Sequence, residues 1–209
     1  MRLYHILSAK YAKSDLLRKR LRVSRFHELN DPFECYPFES IHAIQEKEKD
    51  DITKVLGLLC FSSTYSDPAT WAHYGDRHCG ICLGFDVVDL SPFEVNYLEN
   101  RLSSPIGSTP TPEEWLNNTV IPFVTTKAKS WGYEKEYRVI TNLSECIQCG
   151  EHYFWPLSNT LALKEVILGY SFQGSQARIR GLVNRISSDI PLFRAALSET
   201  KFEMVKTLI

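Results

Sequence analysis

The chain has 209 residues, of which 44% are hydrophobic and 23% charged, and its formal net charge is -1. This length and composition are typical of a globular domain that can bury a core. The near-neutral charge balance argues against a dedicated non-specific nucleic-acid or membrane-surface binder, although a local basic patch still fits it.

The beginning of the chain, MRLYHILSAKYAK, is too polar for a signal peptide, and no apolar run approaches the ~18 residues of a membrane span. We therefore expect a cytoplasmic protein that does not engage a membrane. The six cysteines are then expected to be thiols or metal ligands rather than disulfides.

Hydrophobic periodicity predicts the elements of the first half of the chain. We expect a short strand at 3–7, then a helix over 9–22 capped at Ser14 and Asp15. Residues 22–34 begin strand-like and break into a turn at Asn30-Asp31-Pro32. An exposed amphipathic helix is predicted over 40–56, a buried strand over 57–62, a helix over 68–74 and a strand over 80–87.

The second half is richer in strands. Residues 99–118, rich in Ser, Thr, Pro and Asn, indicate a loop or insertion that ends in a helix start at PEEW. Strands are predicted at 137–141, 152–157, 165–170, 192–197 and 202–209, with a helix over 175–187. Six to eight short strands with few helices indicate one α+β domain, 1–209, rather than a doubly wound parallel sheet.

Two Cys-x-x-Cys pairs offer the ligands of a tetrahedral zinc site. Cys79 and Cys82 lie in a strand-like segment, where residues three apart point to opposite faces. Cys146 and Cys149, which Gly150 follows, have the form of a zinc knuckle and are the better candidate. Core and surface thiols are the alternative interpretation of all four.

The segment 70–80, TWAHYGDRHCG, crowds Trp71, His73, Tyr74 and His78 into eight positions. A metal site would pair the two histidines, at a spacing that is awkward on one helix. Alternatively, a helix packs Trp71 and Tyr74 into the core. A third interpretation, a pocket wall that holds a flat heterocycle, fits this density of polar-tipped aromatic residues better than a dry core.

Two charged segments have both a structural and a functional interpretation. Asn30 and Asp31, in HELNDPFE, are residues that commonly bond their own backbone in a turn. In WGYEKEYRVI, 131–140, an extended chain places Glu134, Glu136 and Arg138 on one face. That face belongs either to an edge strand protected by charge or to a pair of carboxylates that do chemistry.

The chain resembles a widespread bacterial family, domain-of-unknown-function family 2971, nearly end to end. The resemblance lies in an ordered set of motifs: L-Y, F-x-x-LNDPFE, CFS, W-x-HY-x-x-x-H-x-G-x-CLGFD, K-x-x-x-W-x-YEKEYRVI and EVILG. The layout is also similar, more weakly, to toxin-like ADP-ribosyltransferase domains. This second resemblance implies split antiparallel or mixed sheets with a few flanking helices, and NAD as the substrate.

The similarity to the transferases also implies roles for individual residues. Breaking the bond between nicotinamide and ribose passes through an oxocarbenium-like state, which a fixed carboxylate stabilises. Glu136 would take that role, Glu134 would orient or deprotonate the acceptor, and Tyr74 and His73 complete the expected catalytic set. The residues expected to hold NAD are His5, Ser62, Asn30, Asp31, Trp71, His78 and Arg138.

We therefore expect an ADP-ribosyltransferase or NAD glycohydrolase, acting as a bacterial toxin or phage-defence effector. Its partners would be an acceptor protein or nucleic acid, and a cognate antitoxin or defence-system partner. Two alternatives stay open. One is a non-catalytic ligand-binding module that uses Trp71, His73 and Tyr74, and the other is a metal-dependent hydrolase or nuclease that uses both histidines with Asp31 and Glu34.

Overall fold

Strands dominate the chain. The computed structural model describes residues 1–34, 36–39, 46–103 and 111–209. Within these ranges the strands are β1 (Arg2–Leu7), β2 (Arg20–Val23), β3 (Leu56–Ser62), β4 (Ile81–Val87), β5 (Phe93–Glu94), β6 (Asn96–Leu98), β7 (Thr126–Ala128), β8 (Glu136–Asn142), β9 (Ile147–Cys149), β10 (His152–Pro156), β11 (Leu161–Leu168), β12 (Leu192–Leu197) and β13 (Met204–Leu208).

The helices are short and lie between the strands. They are α1 (Ala9–Arg18), α2 (Glu46–Val55), α3 (Pro68–Tyr74), α4 (Pro112–Trp115), α5 (Ile121–Thr125) and α6 (Gln176–Asn184). A π-helical turn joins α4 to α5, and 3-10 turns cover Phe26–Glu28, Lys129–Glu134 and Leu143–Glu145. Among the described residues, no helix combines the length and the apolar character needed to cross a membrane.

One large mixed sheet organises the molecule. Its strand order is β13-β12-β11-β4-β1-β3-β8-β5, in which β11 and β12 run parallel and the other neighbours antiparallel. Smaller sheets form from β2-β10-β9 and from β6-β7. The predicted α+β class is confirmed.

The large sheet divides between β1 and β3. Strand β1 pairs with β4 along its whole length, from Arg2 to Leu7, but its register with β3 is the single pair Tyr4 and Ser62. Beyond that pair the two strands are joined by a side chain, because His5 Nδ1 lies 2.8 Å from the carbonyl oxygen of Cys60. A cavity opens where the backbones diverge.

The two faces of β8 have different surroundings, since successive strand residues point to opposite sides. Val139 packs into the main hydrophobic cluster with Phe61, and burial of such side chains contributes roughly 1.5–3 kcal/mol each. On the other face Ile140 packs against a second cluster, and Arg138 and Glu136 follow it toward the cavity. The predicted division of β8 into two faces is therefore confirmed from Glu136 onward.

Helix α3 starts where its sequence predicts and positions Tyr74. Asp67 caps the helix, its Oδ1 accepting a hydrogen bond from the Thr70 backbone 3.0 Å away, and Pro68 occupies the first turn, where no amide donor is needed. The strands predicted at 3–7, 57–62, 80–87, 137–141, 152–157 and 192–197 are likewise present within one or two residues.

The predicted bounds of two helices, 9–22 and 40–56, were less accurate. The helix predicted over 9–22 ends at Arg18, because Lys19 adopts a left-handed conformation and residues 20–23 pair with β10. Its cap is Ser8, and Asp15 is instead buried within the helix. Of the helix predicted over 40–56, residues 46–55 are helical and 40–45 lie outside the described residues. In the expected loop 99–118, the helix start at PEEW is confirmed, and residues 104–110 lie outside the described ranges.

Candidate functional site

The candidate site is a cavity of about 200 Å³ at the division of the large sheet. Strands β1, β3 and β8 form its base, and their register aligns Tyr4, Ser62 and Glu136 on three neighbouring strands. Helix α3, the segment 28–34 and β7 supply the remaining walls. Polar side chains from segments far apart in sequence line this cavity, which is an arrangement typical of a functional site.

A buried arginine anchors Glu136, the second glutamate of the E-x-E segment. Arg138 donates from Nε to Glu136 Oε1 at 2.8 Å and from Nη2 to Glu136 Oε2 at 2.9 Å. The same guanidinium also donates to Glu34 and, at 2.7 Å, to the Val124 carbonyl oxygen. Arg138 is 1% exposed and Glu136 6% exposed, so this two-pronged ion pair is held away from bulk water.

Lys127 joins three carboxylates. Its Nζ lies 2.6 Å from Glu134 Oε2, 3.3 Å from Glu136 Oε2 and 3.2 Å from Glu34 Oε1. The contact with Glu34 is an ion pair without hydrogen-bond alignment, because Glu34 Oε1 has no hydrogen-bond partner among the described residues. We call Glu34, Lys127, Glu134, Glu136 and Arg138 the charge network. It holds three carboxylates and two cations, and therefore one excess negative charge when all five are ionised.

A chain of hydrogen bonds leads from the cavity wall to Glu134. Asn30 Nδ2 donates to the Tyr74 hydroxyl over 2.9 Å, and the Tyr74 hydroxyl donates to Glu134 Oε1 in a short hydrogen bond. Burial and the neighbouring Glu134 charge raise the pKa of Tyr74, so the phenol stays protonated and acts as a donor. Glu134 is thus held by Tyr74 on one oxygen and by Lys127 on the other.

The two glutamates of the E-x-E segment titrate in opposite directions. Burial by itself would raise the pKa of Glu136, but the charge and hydrogen bonds of Arg138 outweigh it and hold that pKa at about 2. For Glu134, burial prevails over Lys127 and raises the pKa above the usual value. A pair of carboxyl groups whose pKa values are pushed apart is typical of acid-base sites. Glu136 is the permanent anion, and Glu134 is the group that can exchange a proton.

His5 and Ser62 present polar atoms on the base of the cavity. Burial lowers the pKa of His5, although its bond to the Cys60 carbonyl opposes the shift. The neutral ring therefore carries its proton on Nδ1, which faces that carbonyl, and Nε2 is an acceptor. Ser62 Oγ accepts from the Thr64 backbone at 3.2 Å, which leaves its own hydroxyl proton for another partner.

The predicted E-x-E geometry needs a correction. Glu134 is not part of an extended strand: it ends a 3-10 turn, and Lys135 follows with φ +46° before β8 begins at Glu136. Strand β8 is not an edge either, because it lies between β3 and β5. The two carboxylates converge through Lys127 rather than through the two-residue strand repeat.

Trp71 does not line the cavity, contrary to its expected role in holding NAD. It is fully buried in a cluster with Ile6 and Cys82, and its Nε1 donates to the Tyr65 carbonyl oxygen over 2.6 Å. Trp71 is part of that core cluster, whereas Tyr74, three residues later, packs against the cluster and also lines the cavity.

His73, His78 and Asp31 also lie away from the cavity lining. His73 is exposed and stacks on Tyr133. His78 adopts φ +68° in the turn before β4, and its carbonyl oxygen accepts from the Ser171 backbone. Asp31 shapes the turn, its Oδ1 accepting from Phe33 N at 2.9 Å, as the turn interpretation predicts. Only Asn30 of that turn reaches the site.

The proposed metal ligands are dispersed. Among the described residues, no three His, Cys, Asp or Glu side chains are placed to hold a metal ion. Cys146 Sγ donates to the Asn142 carbonyl oxygen and Cys149 is exposed on β9. Cys79 precedes β4 and contacts the Arg77 carbonyl oxygen, while Cys82 is buried.

Sequence reasoning gave no role in the favoured function to two members of the charge network. Glu34 closes the motif F-x-x-LNDPFE, and Lys127 opens K-x-x-x-W-x-YEKEYRVI. Both residues therefore belong to motifs of the family resemblance. The sequence signal that could have identified them is a charged residue at the boundary of a motif. The contact of Glu34 with Arg138 spans 104 residues, so no local pattern reveals it, whereas Lys127 lies only seven residues before Glu134.

Comparisons with known proteins give no further identification. No family model matches the chain, and neither a curated protein nor a solved structure matches it with statistical significance.

Proposed function

We propose that this protein cleaves the nicotinamide–ribose bond of NAD, as an ADP-ribosyltransferase or an NAD glycohydrolase. The observation that carries the proposal is the pair Glu134 and Glu136, joined through Lys127 in one cavity and shifted in opposite directions in pKa. One carboxylate is fixed as an anion, and the other is suited to proton transfer. The reaction needs both, an anion to stabilise the ribose cation and a base to accept the proton of the attacking group.

The reaction would proceed as follows. The C–N bond breaks, nicotinamide leaves with the electron pair, and positive charge develops on the ribose. The charge network, with one negative charge in excess, stabilises that cation in a site where water screens it little. The acceptor, or water, then attacks the ribose carbon, and Glu134 takes the proton that the attacking group loses.

Other cavity residues have supporting roles in this proposal. His5 Nε2 accepts a hydrogen bond from a ribose hydroxyl, and the Ser62 hydroxyl donates to a substrate oxygen. Asn30 and Tyr74 hold Glu134 in place through their hydrogen bonds. Arg138 binds Glu136 directly, so its role is to position that glutamate rather than to meet a phosphate.

The sequence motifs support a common function for these residues. The motif with LNDPFE supplies Asn30 and Glu34, the motif with W-x-HY supplies Tyr74, and the late motif supplies Lys127 and the rest of the charge network. We infer from this convergence that the chain is a member of domain-of-unknown-function family 2971. The division of the sheet between β1 and β3 supports an ADP-ribosyltransferase-like arrangement, and a role as a toxin or phage-defence effector with a cognate partner is part of the proposal.

Incubation of the purified protein with NAD tests this proposal. We expect release of nicotinamide, with the ADP-ribose moiety recovered free or attached to an added acceptor. The assay uses NAD labelled in the adenylate half together with protein and nucleic-acid acceptors, so that transfer and hydrolysis are both detected. Absence of nicotinamide release under all these conditions would contradict the proposal.

The second candidate is a ligand-binding module without catalysis. It is favoured by the saturation of Glu136, since each of its two oxygens already faces a cation. Such a module would show ligand-dependent shifts in melting temperature and no turnover of NAD. The same incubation therefore separates the two candidates.

Tyr74→Phe is expected to shift the low-pH side of the rate–pH profile of NAD turnover to higher pH. The Tyr74 hydroxyl stabilises the ionised form of Glu134, so its removal raises the pKa of Glu134 further. A general base works only when deprotonated, and activity is therefore lost at higher pH than in the wild type. Rates measured across pH give the shift, with the exposed Tyr11→Phe as the control; an unchanged low-pH side of the profile would contradict the role of Glu134.

A further inference from the structure

Three aromatic side chains form a cluster directly outside the cavity. The rings of His73 and Tyr133 stack with centroids 5.9 Å apart and 22° between their planes. Trp131 lies 6.1 Å from His73 and 6.0 Å from Tyr133. We call these three residues the aromatic cluster.

The core does not account for the aromatic cluster. His73 is exposed, Trp131 and Tyr133 are half-buried, and none of the three belongs to the hydrophobic clusters among the described residues. Grouped aromatic rings that face solvent and do not fill a core are typical of interaction sites.

The aromatic cluster adjoins the charge network through Glu134 and Lys127, and also through Tyr74, which donates a hydrogen bond to Glu134. His73 precedes Tyr74 and Tyr133 precedes Glu134, so one neighbour of each pair faces outward and the other reaches the cavity. The Nζ of Lys127 lies 4.9 Å from the centroid of the Trp131 ring and 2.6 Å from Glu134. A group stacked on the cluster would therefore lie beside the proposed general base.

Lysines flank the cluster on its own segment. Lys129 is exposed and pairs with the equally exposed Glu99, an ion pair of the weak, solvent-screened kind that exchanges readily. Lys135 is exposed, and among the described residues no carboxylate forms an ion pair with it. Two ammonium groups are thus available for phosphates on either side of the E-x-E entrance.

We propose that the aromatic cluster binds the bases of a single-stranded nucleic acid, which is the acceptor of the proposed transferase. Every base has a flat face that stacks on aromatic rings, and cations beside the rings meet the backbone phosphates. Paired bases are stacked inside the duplex and cannot reach such a cluster. The net charge of -1 gives little non-specific attraction, so stacking provides most of the affinity.

This inference rests on the proposed function for its chemical step. A nitrogen or oxygen of the bound base would attack the ribose carbon of NAD as nicotinamide leaves with the electrons of the C–N bond. The base loses one proton in forming the new bond, and Glu134 accepts it. The binding of the nucleic acid itself requires no NAD and can be measured separately.

Fluorescence anisotropy with labelled single strands of about ten nucleotides, DNA and RNA, tests the binding in the absence of NAD. We expect the double variant Trp131→Ala, Tyr133→Ala to bind at least roughly thirtyfold more weakly, because it loses two base–aromatic stacks. Duplexes should bind more weakly than single strands. Two phosphate contacts predict a slope of log K against log salt of roughly -1.4.

Tyr11→Ala removes an exposed aromatic residue from α1, away from the cluster, and should bind as the wild type does. Melting temperatures establish that the variants are folded. A second measurement uses the wild-type protein, in which the bound oligonucleotide should quench tryptophan fluorescence. Trp131→Phe should abolish this quenching.

Several outcomes would overturn the inference. They are single-strand binding that is no tighter in the wild type than in the double variant, an equal loss in Tyr11→Ala, and transfer of ADP-ribose to polypeptides without any to oligonucleotides. Binding without NAD turnover would support the aromatic cluster as a nucleic-acid site and contradict the proposed enzymatic function.

Discussion

Lys127→Met is expected to lower the free energy of unfolding by about 3–5 kcal/mol, the usual effect of removing one partner of a buried ion pair. The Lys127 ammonium lies within 3.3 Å of carboxylate oxygens of Glu34, Glu134 and Glu136. Methionine retains much of the apolar stem but leaves three buried carboxylates with Arg138 as their remaining cation. Urea unfolding followed by circular dichroism measures the difference from the wild type.

Two further variants show whether charge is the cause. Lys129→Met removes an exposed lysine from the same segment and should change the stability by less than about 1 kcal/mol. The double variant Lys127→Met, Glu134→Gln returns the network to one excess negative charge and should recover part of the loss. Equal effects of the two lysine substitutions would contradict the charge network.

The local elements were largely predictable because their signals are local. Helix α3 carries its own start signal in Asp67 and Pro68, and β8 is a run of β-branched and aromatic residues from Glu136 onward. The errors occur where the backbone conformation of a single residue determines where a helix ends or a strand begins. The left-handed Lys19 ends α1 early, and the left-handed Lys135 separates Glu134 from β8. Such conformations are uncommon outside glycine, so no pattern predicts them.

The site was predictable in part of its membership and not in its arrangement. Of the predicted members, Trp71, His73, His78 and Asp31 do not line the cavity. The motifs contain Tyr74, Glu134, Glu136 and Arg138. However, a charged, solvent-exposed start of a strand would account equally well for the sequence around the two glutamates. Their burial depends on Lys127 and on contacts that span 60 residues for Tyr74 to Glu134. Long-range pairing of charges has no sequence period, which is why the structure was needed to show it.

Glu136→Gln is expected to reduce the rate of NAD cleavage at least roughly a hundredfold, the usual loss when a preorganised electrostatic group is removed. The substitution keeps the shape and one acceptor oxygen for Arg138, but it removes the charge that stabilises the ribose cation. The remaining carboxylates of the network cannot replace it, because Glu136 alone is aligned with Ser62 and Tyr4 across the sheet.

Glu34→Gln is the matched control for this substitution. It removes the same charge from the same network and also loses an ionic partner of Arg138, so its effect on stability should be similar. Glu34 lies outside the row that Tyr4, Ser62 and Glu136 form across the sheet. We therefore expect the Glu34→Gln variant to retain about a tenth or more of the wild-type rate. Comparable loss in both variants would show a general electrostatic effect rather than a specific role of Glu136.

The release of nicotinamide from NAD, measured for folded wild type, Glu136→Gln and Glu34→Gln under one set of conditions, tests the central claim most directly. We predict clear release by the wild type, a much smaller loss in Glu34→Gln, and a rate close to background in Glu136→Gln. Equal rates of nicotinamide release by the wild type and Glu136→Gln, or no release by the wild type, would contradict the account.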